Sequence, residues 1–231
     1  MPTALITGTN RGIGLELVRQ YAADGWQVYA GCRAPERATE LLRLTQENAG
    51  RITVLPLEVT NEQQIAALSR QLANQPIDLL FNNAGVYGQS DSSFGNSNAE
   101  AWMEALRINT VAPMTIMEAF VEQVAASDKR LMVGMSSKMG SMTDNGSGGS
   151  YVYRSTKAAL NAVMVSAAQD LRSRGIIALA MHPGWVLTDM GGPNAEISVE
   201  QSATNLRAIL DRATLEDTGS FFDIDGSIVP W

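Results

Sequence analysis

Short runs of β-branched and aliphatic residues alternate with longer stretches of helical periodicity from the first residues onward, which restricts the fold of this chain more than any other feature. TALIT leads into a helical pattern over 12–24, WQVYAG into 36–47, RITVLPL into 61–74, and IDLLFNN opens the next cycle. RLMVGMS (130–136) and IIALAMHP (176–183) continue the rhythm, with long helical patterns near 110–127 and 153–174, and SFFDI offers a final edge strand. Runs this apolar belong to strands covered on both sides, because a strand with one wet face alternates polar with apolar residues. At 231 residues and 45% apolar content the chain supports one sizeable core. The expectation is a single α/β domain over residues 1–231, doubly wound and Rossmann-type, with a parallel sheet of about seven strands and helices on both faces. Ligands of such sheets bind outside the carboxyl ends of the strands, where the loops after TALIT, LLFNN, LMVGM and ALAMH belong.

The first of those loops is TGTNRGIG, residues 7–14. Gly8, Gly12 and Gly14 permit a tight turn and close backbone approach, and the free N–H groups at a helix start attract a pyrophosphate, so Gly8, Asn10, Arg11, Gly12, Ile13 and Gly14 form a candidate phosphate cradle. The spacing G-x3-G-x-G departs from the dinucleotide fingerprint G-x-G-x-x-G. After the second run, YAGCRAPE puts Cys32 where an acidic residue would select NAD, followed by Arg33. Arg33 and Arg11 together suit a 2′-phosphate, which reads as a preference for NADP(H), the alternative being two solvated surface arginines. LEVT offers Glu58 and Val59 to an adenine edge and face, and NNAG ends the fourth run with small residues that allow close approach.

GSYVYRSTKAALNAV places Tyr153 and Lys157 four residues apart, on one helix face, whereas Tyr151 has no lysine at that spacing. An ammonium beside a phenol favours the phenolate, the chemistry of a general acid/base. Taken alone, such a pair reads first as a chance surface contact.

Several function classes are disfavoured. The net charge is −7 with Lys and Arg dispersed, so no footprint for nucleic acid is visible. No segment approaches the roughly 20 apolar residues of a membrane span, and no basic leader precedes the first strand, so a cytoplasmic location is expected. One cysteine, Cys32, and one histidine, His182, leave no internal disulfide and no clustered metal site to be read.

With TGTNRGIG, NNAG, MSSKMG, YRSTK and HPGWVLTDM in this order, the sequence resembles the short-chain dehydrogenase/reductase family over essentially its whole length. SSKMGS, YVYRSTKAALN and DGSIVPW are most similar to its small sniffer-like and C-factor-like carbonyl reductase branch. The resemblance implies that Tyr153 exchanges a proton with the substrate oxygen, while Lys157 holds the nicotinamide ribose and lowers the Tyr153 pKa. Ser137, the serine followed by two residues and Gly140, would bind the carbonyl oxygen in preference to Ser136. Asn109 in LRINTVAP would be the fourth member, anchoring a water beside Lys157. Asn83, Ala84 and Gly85 of NNAG, and Pro183, Gly184, Val186 and Thr188 of HPGWVLTDM, would line the cofactor, NADP(H). His182 is left outside the chemistry.

Ser137 and Tyr153 lie sixteen positions apart, a few more than the family's usual interval, and the excess falls in the Gly-rich TDNGSGGS, where a loop absorbs it. The alternative acid is Tyr151. Val86, Tyr87, Phe94, Met139, Met142, Trp185 and Met190 are expected to wall an open substrate pocket, or else to be core. The resulting expectation is a reductase of small-molecule aldehydes or ketones, forming a homodimer or homotetramer through its long helices. Its rival is a dinucleotide-binding signalling or sensor protein in which turnover is incidental.

Overall fold

The computed structural model describes residues 1–48 and 50–231. Seven strands form one sheet: β1 (Thr3–Thr7), β2 (Gln27–Cys32), β3 (Ile52–Pro56), β4 (Leu79–Asn82), β5 (Leu131–Met135), β6 (Ile177–Met181) and β7 (Phe221–Phe222). Their order is β3-β2-β1-β4-β5-β6-β7, and every pairing is parallel. The short SFFDI run does form the edge strand, reduced to two residues. From β1 the chain steps outward to β2 and β3, then returns to the other side of β1 as β4. The turns after β1 and β4 therefore meet at the switch point, where such sheets bind ligands.

The core divides as strand geometry requires, since successive side chains point to opposite faces. Ala4 and Ile6 of β1 face a cluster that includes Leu17, Val18 and Tyr21 of α1 (Gly12–Ala23), Leu41 of α2 (Thr39–Glu47) and Leu206 of α7 (Val199–Arg212). Leu5 faces the opposite cluster, with Ile65 of α3 (Glu62–Gln71), Phe120 of α5 (Ala112–Ala125) and Leu160 of α6 (Tyr151–Leu171). Covering both faces makes the strands apolar throughout, which explains runs such as LMVGM and IALAM, fully buried in β5 and β6.

Four helical expectations are corrected. The pattern at 36–47 is interrupted: Pro35–Arg37 is a 3₁₀ turn, and α2 starts only at Thr39. The helix placed at 61–74 spans Glu62–Gln71, and Asn61 caps it by accepting from the Gln64 N–H at 3.0 Å. The stretch near 110–127 is the end of a longer arrangement, in which α4 (Ala99–Leu106) passes through a π turn at Arg107–Val111 into α5. Pro113 supplies a physical cause, because it has no N–H to bond the residue-109 carbonyl and its ring crowds that carbonyl. The helix expected at 153–174 begins at Tyr151, two residues early, and passes after Leu171 into a 3₁₀ turn at Arg172–Arg174. Among the described residues no helix is long and apolar enough to cross a membrane.

Candidate active site

Asn83 holds the switch point together. Its Nδ2 donates to the Thr7 carbonyl at 2.8 Å and the Gly8 carbonyl at 3.1 Å, while the Thr7 hydroxyl accepts from the N–H groups of Asn83 and Ala84. The turn after β1 is thereby pinned against the turn after β4, and glycine is needed there on steric grounds. A Cβ on Gly14 would lie 2.5 Å from Asn83 Nδ2, and one on Gly8, whose φ is +69°, would lie 2.8 Å from the Ala84 Cα. The space kept clear lies along the backbone at the start of α1, where Gly12 and Ile13 are half-buried and Asn10 is exposed.

Arg11 and Arg33 stand on the outer side of this turn, with about three-quarters of each side chain in solvent. Arg11 pairs with Asp189 at 2.6 Å, and Arg33 lies 4.0 Å from Glu58. Glu58 also accepts from the Thr60 N–H and hydroxyl, and Val59 beside it is buried. Cys32 is buried in β2, so its thiol is not available at the surface where Arg33 stands.

At the other end of the groove the polar groups are buried. Tyr153 sits in the first turn of α6 and is 8% exposed, whereas Tyr151 is 40% exposed and its N–H bonds the Ser92 carbonyl. Lys157, one turn below Tyr153, donates from Nζ to the Met135 carbonyl at the end of β5 at 2.7 Å, and Nζ lies 5.6 Å from the centre of the Tyr153 ring. Ser137 follows β5 directly, and its hydroxyl accepts from the Met139 N–H at 3.2 Å and stands beside the Tyr153 phenol, whose anion it favours. Ser136 is committed elsewhere, donating to Asn161 Oδ1 at 2.5 Å in the core. Gly140 explains the spacing S-x-x-G after Ser137: the turn Lys138–Gly140 packs so tightly on α6 that a Cβ there would lie 2.8 Å from the backbone carbon of Lys157.

Burial dominates the electrostatics. It pushes the Tyr153 phenol up to about 12, only partly offset by the Ser137 hydrogen bond. It pushes the Lys157 ammonium down to about 8. The expected lowering of Tyr153 by Lys157 is therefore outweighed, and the phenol keeps its proton at neutral pH, ready to donate. His182, at the end of β6, is pushed down to about 4, chiefly by burial, and stays neutral there, outside the Ser137, Tyr153 and Lys157 group.

Asn109 projects from the π turn, buried, and its amide is used by protein partners. Nδ2 donates to the Val86 carbonyl at 2.8 Å and the Thr156 hydroxyl at 2.9 Å, and Oδ1 accepts from the Val86 N–H at 2.9 Å. Gly85 opens the space between this amide and the lysine: a Cβ there would be 3.1 Å from Asn109 Oδ1 and 3.5 Å from Lys157 Nζ. Thr156, three residues after Tyr153, is a partner that sequence reasoning missed. Its position one turn along the same helix was the available signal.

The segment after β6 closes the groove from a third side. Gly184 turns at φ +83°, Pro183 accepts from the Ser202 hydroxyl at 2.7 Å, and Val186 pairs with Ile197. The Thr188 methyl would lie 3.6 Å from a Cβ on Gly12, which brings this segment to the glycine turn. Of the residues expected to wall an open pocket or to be core, four are exposed and three half-buried. Phe94 is 93% exposed and Met142, Trp185 and Met190 are also exposed, while Val86, Tyr87 and Met139 are half-buried. Phe94 lies in a polar loop whose chain offers no apolar face for it to pack on.

Comparison with known proteins agrees with this geometry. Residues 2–197 match the family model described as short chain dehydrogenase. The C-signal protein of Myxococcus xanthus is 36% identical over 165 residues, covering 71% of this chain and 99% of its own. Among solved structures, the carbonyl reductase Sniffer of D. melanogaster superimposes with a TM-score of 0.93 at 31% identity, covering all of both chains. The NADPH-bound carbonyl reductase from chicken fatty liver gives 0.91 at 31% identity, covering 100% of this chain and 99% of that one. A parallel sheet in this strand order, a glycine turn pinned to NNAG, and a serine, tyrosine and lysine gathered beyond β5 thus go with matching sequence, and the chain belongs to the short chain dehydrogenase family.

Proposed function

We propose that this protein is an NADP(H)-dependent oxidoreductase acting on a carbonyl/alcohol pair, chiefly as a reductase of small aldehydes or ketones. The observation that carries the reading is the convergence of Ser137, Tyr153 and Lys157, all buried, at the carboxyl end of β5 beside the switch point. The residues fit a dinucleotide: Gly8 and Gly14 let the turn after β1 pack directly on Ala84 and Asn83, Gly12 leaves the start of α1 without a side chain, and Gly85 keeps the approach to Lys157 open. Gly8 through Gly14 would hold the pyrophosphate, Arg11 and Arg33 the 2′-phosphate, Glu58 and Val59 the adenine, Asn83 to Gly85 with Lys157 the nicotinamide ribose, and Pro183, Gly184, Val186 and Thr188 the nicotinamide. The NADPH bound to the chicken carbonyl reductase supports the choice of cofactor. When bound, the cofactor supplies the hydride taken up by the carbonyl carbon.

The chain's own groups manage the oxygen. Ser137 donates a hydrogen bond to it as negative charge develops, and Tyr153, protonated throughout the neutral range, gives it the proton that completes the alcohol. Lys157, positive below about pH 8, orients the ribose and stabilises the phenolate left behind. Asn109 is a positioning residue, fixing the backbone at Val86 and the hydroxyl of Thr156. The exposed rim of Phe94, Met142, Trp185 and Met190 suits substrates of varied shape.

The test is NADPH oxidation by purified protein across a panel of aldehydes and ketones, with NADPH affinity measured separately by fluorescence. Tyr153→Phe is expected to lower turnover about 10²–10⁴-fold with NADPH affinity nearly unchanged. A fully active Tyr153→Phe variant overturns the reading. Tight NADPH binding without turnover on any carbonyl would instead favour a dinucleotide-responsive signalling protein.

A further inference from the structure

The ring of Tyr87 lies against that of Tyr153, centroids 4.6 Å apart and planes inclined by 18°. Three constraints hold it there. On its N-terminal side, Val86 is bonded in both directions by the Asn109 amide. On its C-terminal side, Gly88 turns at φ +75° and approaches α6 so closely that a Cβ would lie 2.8 Å from Val152 Cγ1. At its tip, the hydroxyl shares a 3.0 Å hydrogen bond with Ser150 Oγ, on the residue that precedes α6 and adopts a left-handed conformation at φ +48°. A tyrosine needed only for bulk would not require its backbone and its hydroxyl to be fixed at once.

We infer that Tyr87 is a positioning residue for Tyr153: its ring fixes the plane of the Tyr153 phenol and presents an aromatic face that disfavours the phenolate, biasing the pair towards proton donation. The face of an aromatic ring carries partial negative charge, so an anion stacked on it is less stable than a neutral phenol. The other groups on Tyr153 are Ser137 from the turn after β5, which favours the anion, and the Lys157 ammonium from α6 itself. Asn109 thereby acquires a path to the phenol, through Val86 and Tyr87, in addition to its bond to Thr156. The inference rests on Tyr153 being the proton donor, but the arrangement it describes can be measured without turnover.

The experiment is an ultraviolet titration of tyrosinate in the full chain, taken as the difference from Tyr153→Phe in the same background so that only the phenol at 153 is read, below the pH at which circular dichroism is lost. Tyr87→Leu and Tyr87→Met, which both remove the ring, are expected to lower that midpoint by about half to one pH unit, and Tyr87→Phe to keep the parent value. Carbonyl reduction should fall about tenfold in kcat in the first two, with KM for NADPH unchanged, and less than threefold in Tyr87→Phe. An unmoved midpoint in whichever of Tyr87→Leu and Tyr87→Met folds, or an equal shift in Tyr87→Phe, overturns the inference. Either result is separate from the reductase reading, which stands or falls on turnover by the parent and its loss in Tyr153→Phe.

Discussion

The two ends of the groove are built on opposite principles. Around the turns after β1 and β2, recognition rests on absent side chains and on arginines in solvent: Gly8 and Gly14 let the turn pack tightly on the NNAG segment, and Arg11 and Arg33 are 72% and 76% exposed. Around β5 and the head of α6, the working groups are buried, and each has a named protein partner: Lys157 on Met135, Ser137 on Tyr153, Asn109 on Val86 and Thr156. The first end is a shape with exposed charges at its margin. The second is a fixed polar cluster whose proton affinities are set by burial. Substitutions at the second end should therefore change chemistry and pH dependence, and those at the first should change folding or cofactor choice.

The largest effect that would sharpen this contrast is expected from Lys157→Ala. Removing the ammonium should lower kcat/KM about 10²–10⁴-fold and weaken NADPH binding about tenfold, read by steady-state kinetics and fluorescence titration. The pH dependence supplies a sign. Because the folded lysine is pushed down to about 8, its charge is present below that pH and lost above it, so NADPH affinity of the parent should decline through pH 8 while that of the variant lacks this limb. Unchanged affinity in Lys157→Ala would remove the lysine from the ribose and break the contrast at its buried end.

At the glycine end the second effect should appear as stability. Gly14→Ala drives a methyl against the Gly8 carbonyl and to 2.5 Å from Asn83 Nδ2, the amide that pins β1 to β4. Overpacking of this kind costs about 1–3 kcal/mol, which for a chain this long lowers Tm by roughly 2–12 °C. Calorimetry reads it directly. A variant with parental Tm would show that the turn yields, and that its shape is not the restraint the glycines imply.

The same contrast governs how much could be read from the sequence. Strand order and faces follow from apolar runs, which burial on both sides of the sheet enforces, so the seven strands and the switch point were legible. Tyr153 was separable from Tyr151 by helical spacing alone, because an i, i+4 partner is a local property. What escaped depended on contacts between distant segments. The amide of Asn109, on the π turn, is bonded by Val86 23 positions away, and the stack of Tyr87 on Tyr153 joins residues 66 positions apart. The weight of burial was also out of reach. Spacing showed a lysine near a phenol, but burial, which the sequence displays only after folding, pushes both groups towards neutrality. Exposure escaped for the same reason, Phe94 being apolar in sequence yet almost wholly in solvent.

The smallest effect expected belongs to Arg33→Ala, and it tests whether the exposed margin does anything selective. Arg33 lies 4.0 Å from Glu58, with both side chains in contact with water, so its loss should leave Tm within error. A guanidinium on a 2′-phosphate is a charge-assisted contact, and its removal should weaken NADPH binding about tenfold while leaving NADH affinity as it was. Parallel fluorescence titrations with the two cofactors measure the ratio. Arg11 is a poorer choice for this experiment, because its pair with Asp189 ties the glycine turn to the segment after β6 and its loss would disturb both. If NADPH and NADH affinities of Arg33→Ala fall together, the arginine acts on the shared part of the dinucleotide. If neither changes, cofactor choice lies with Arg11, and the exposed end of the groove is selective only where it is tied to the segment after β6.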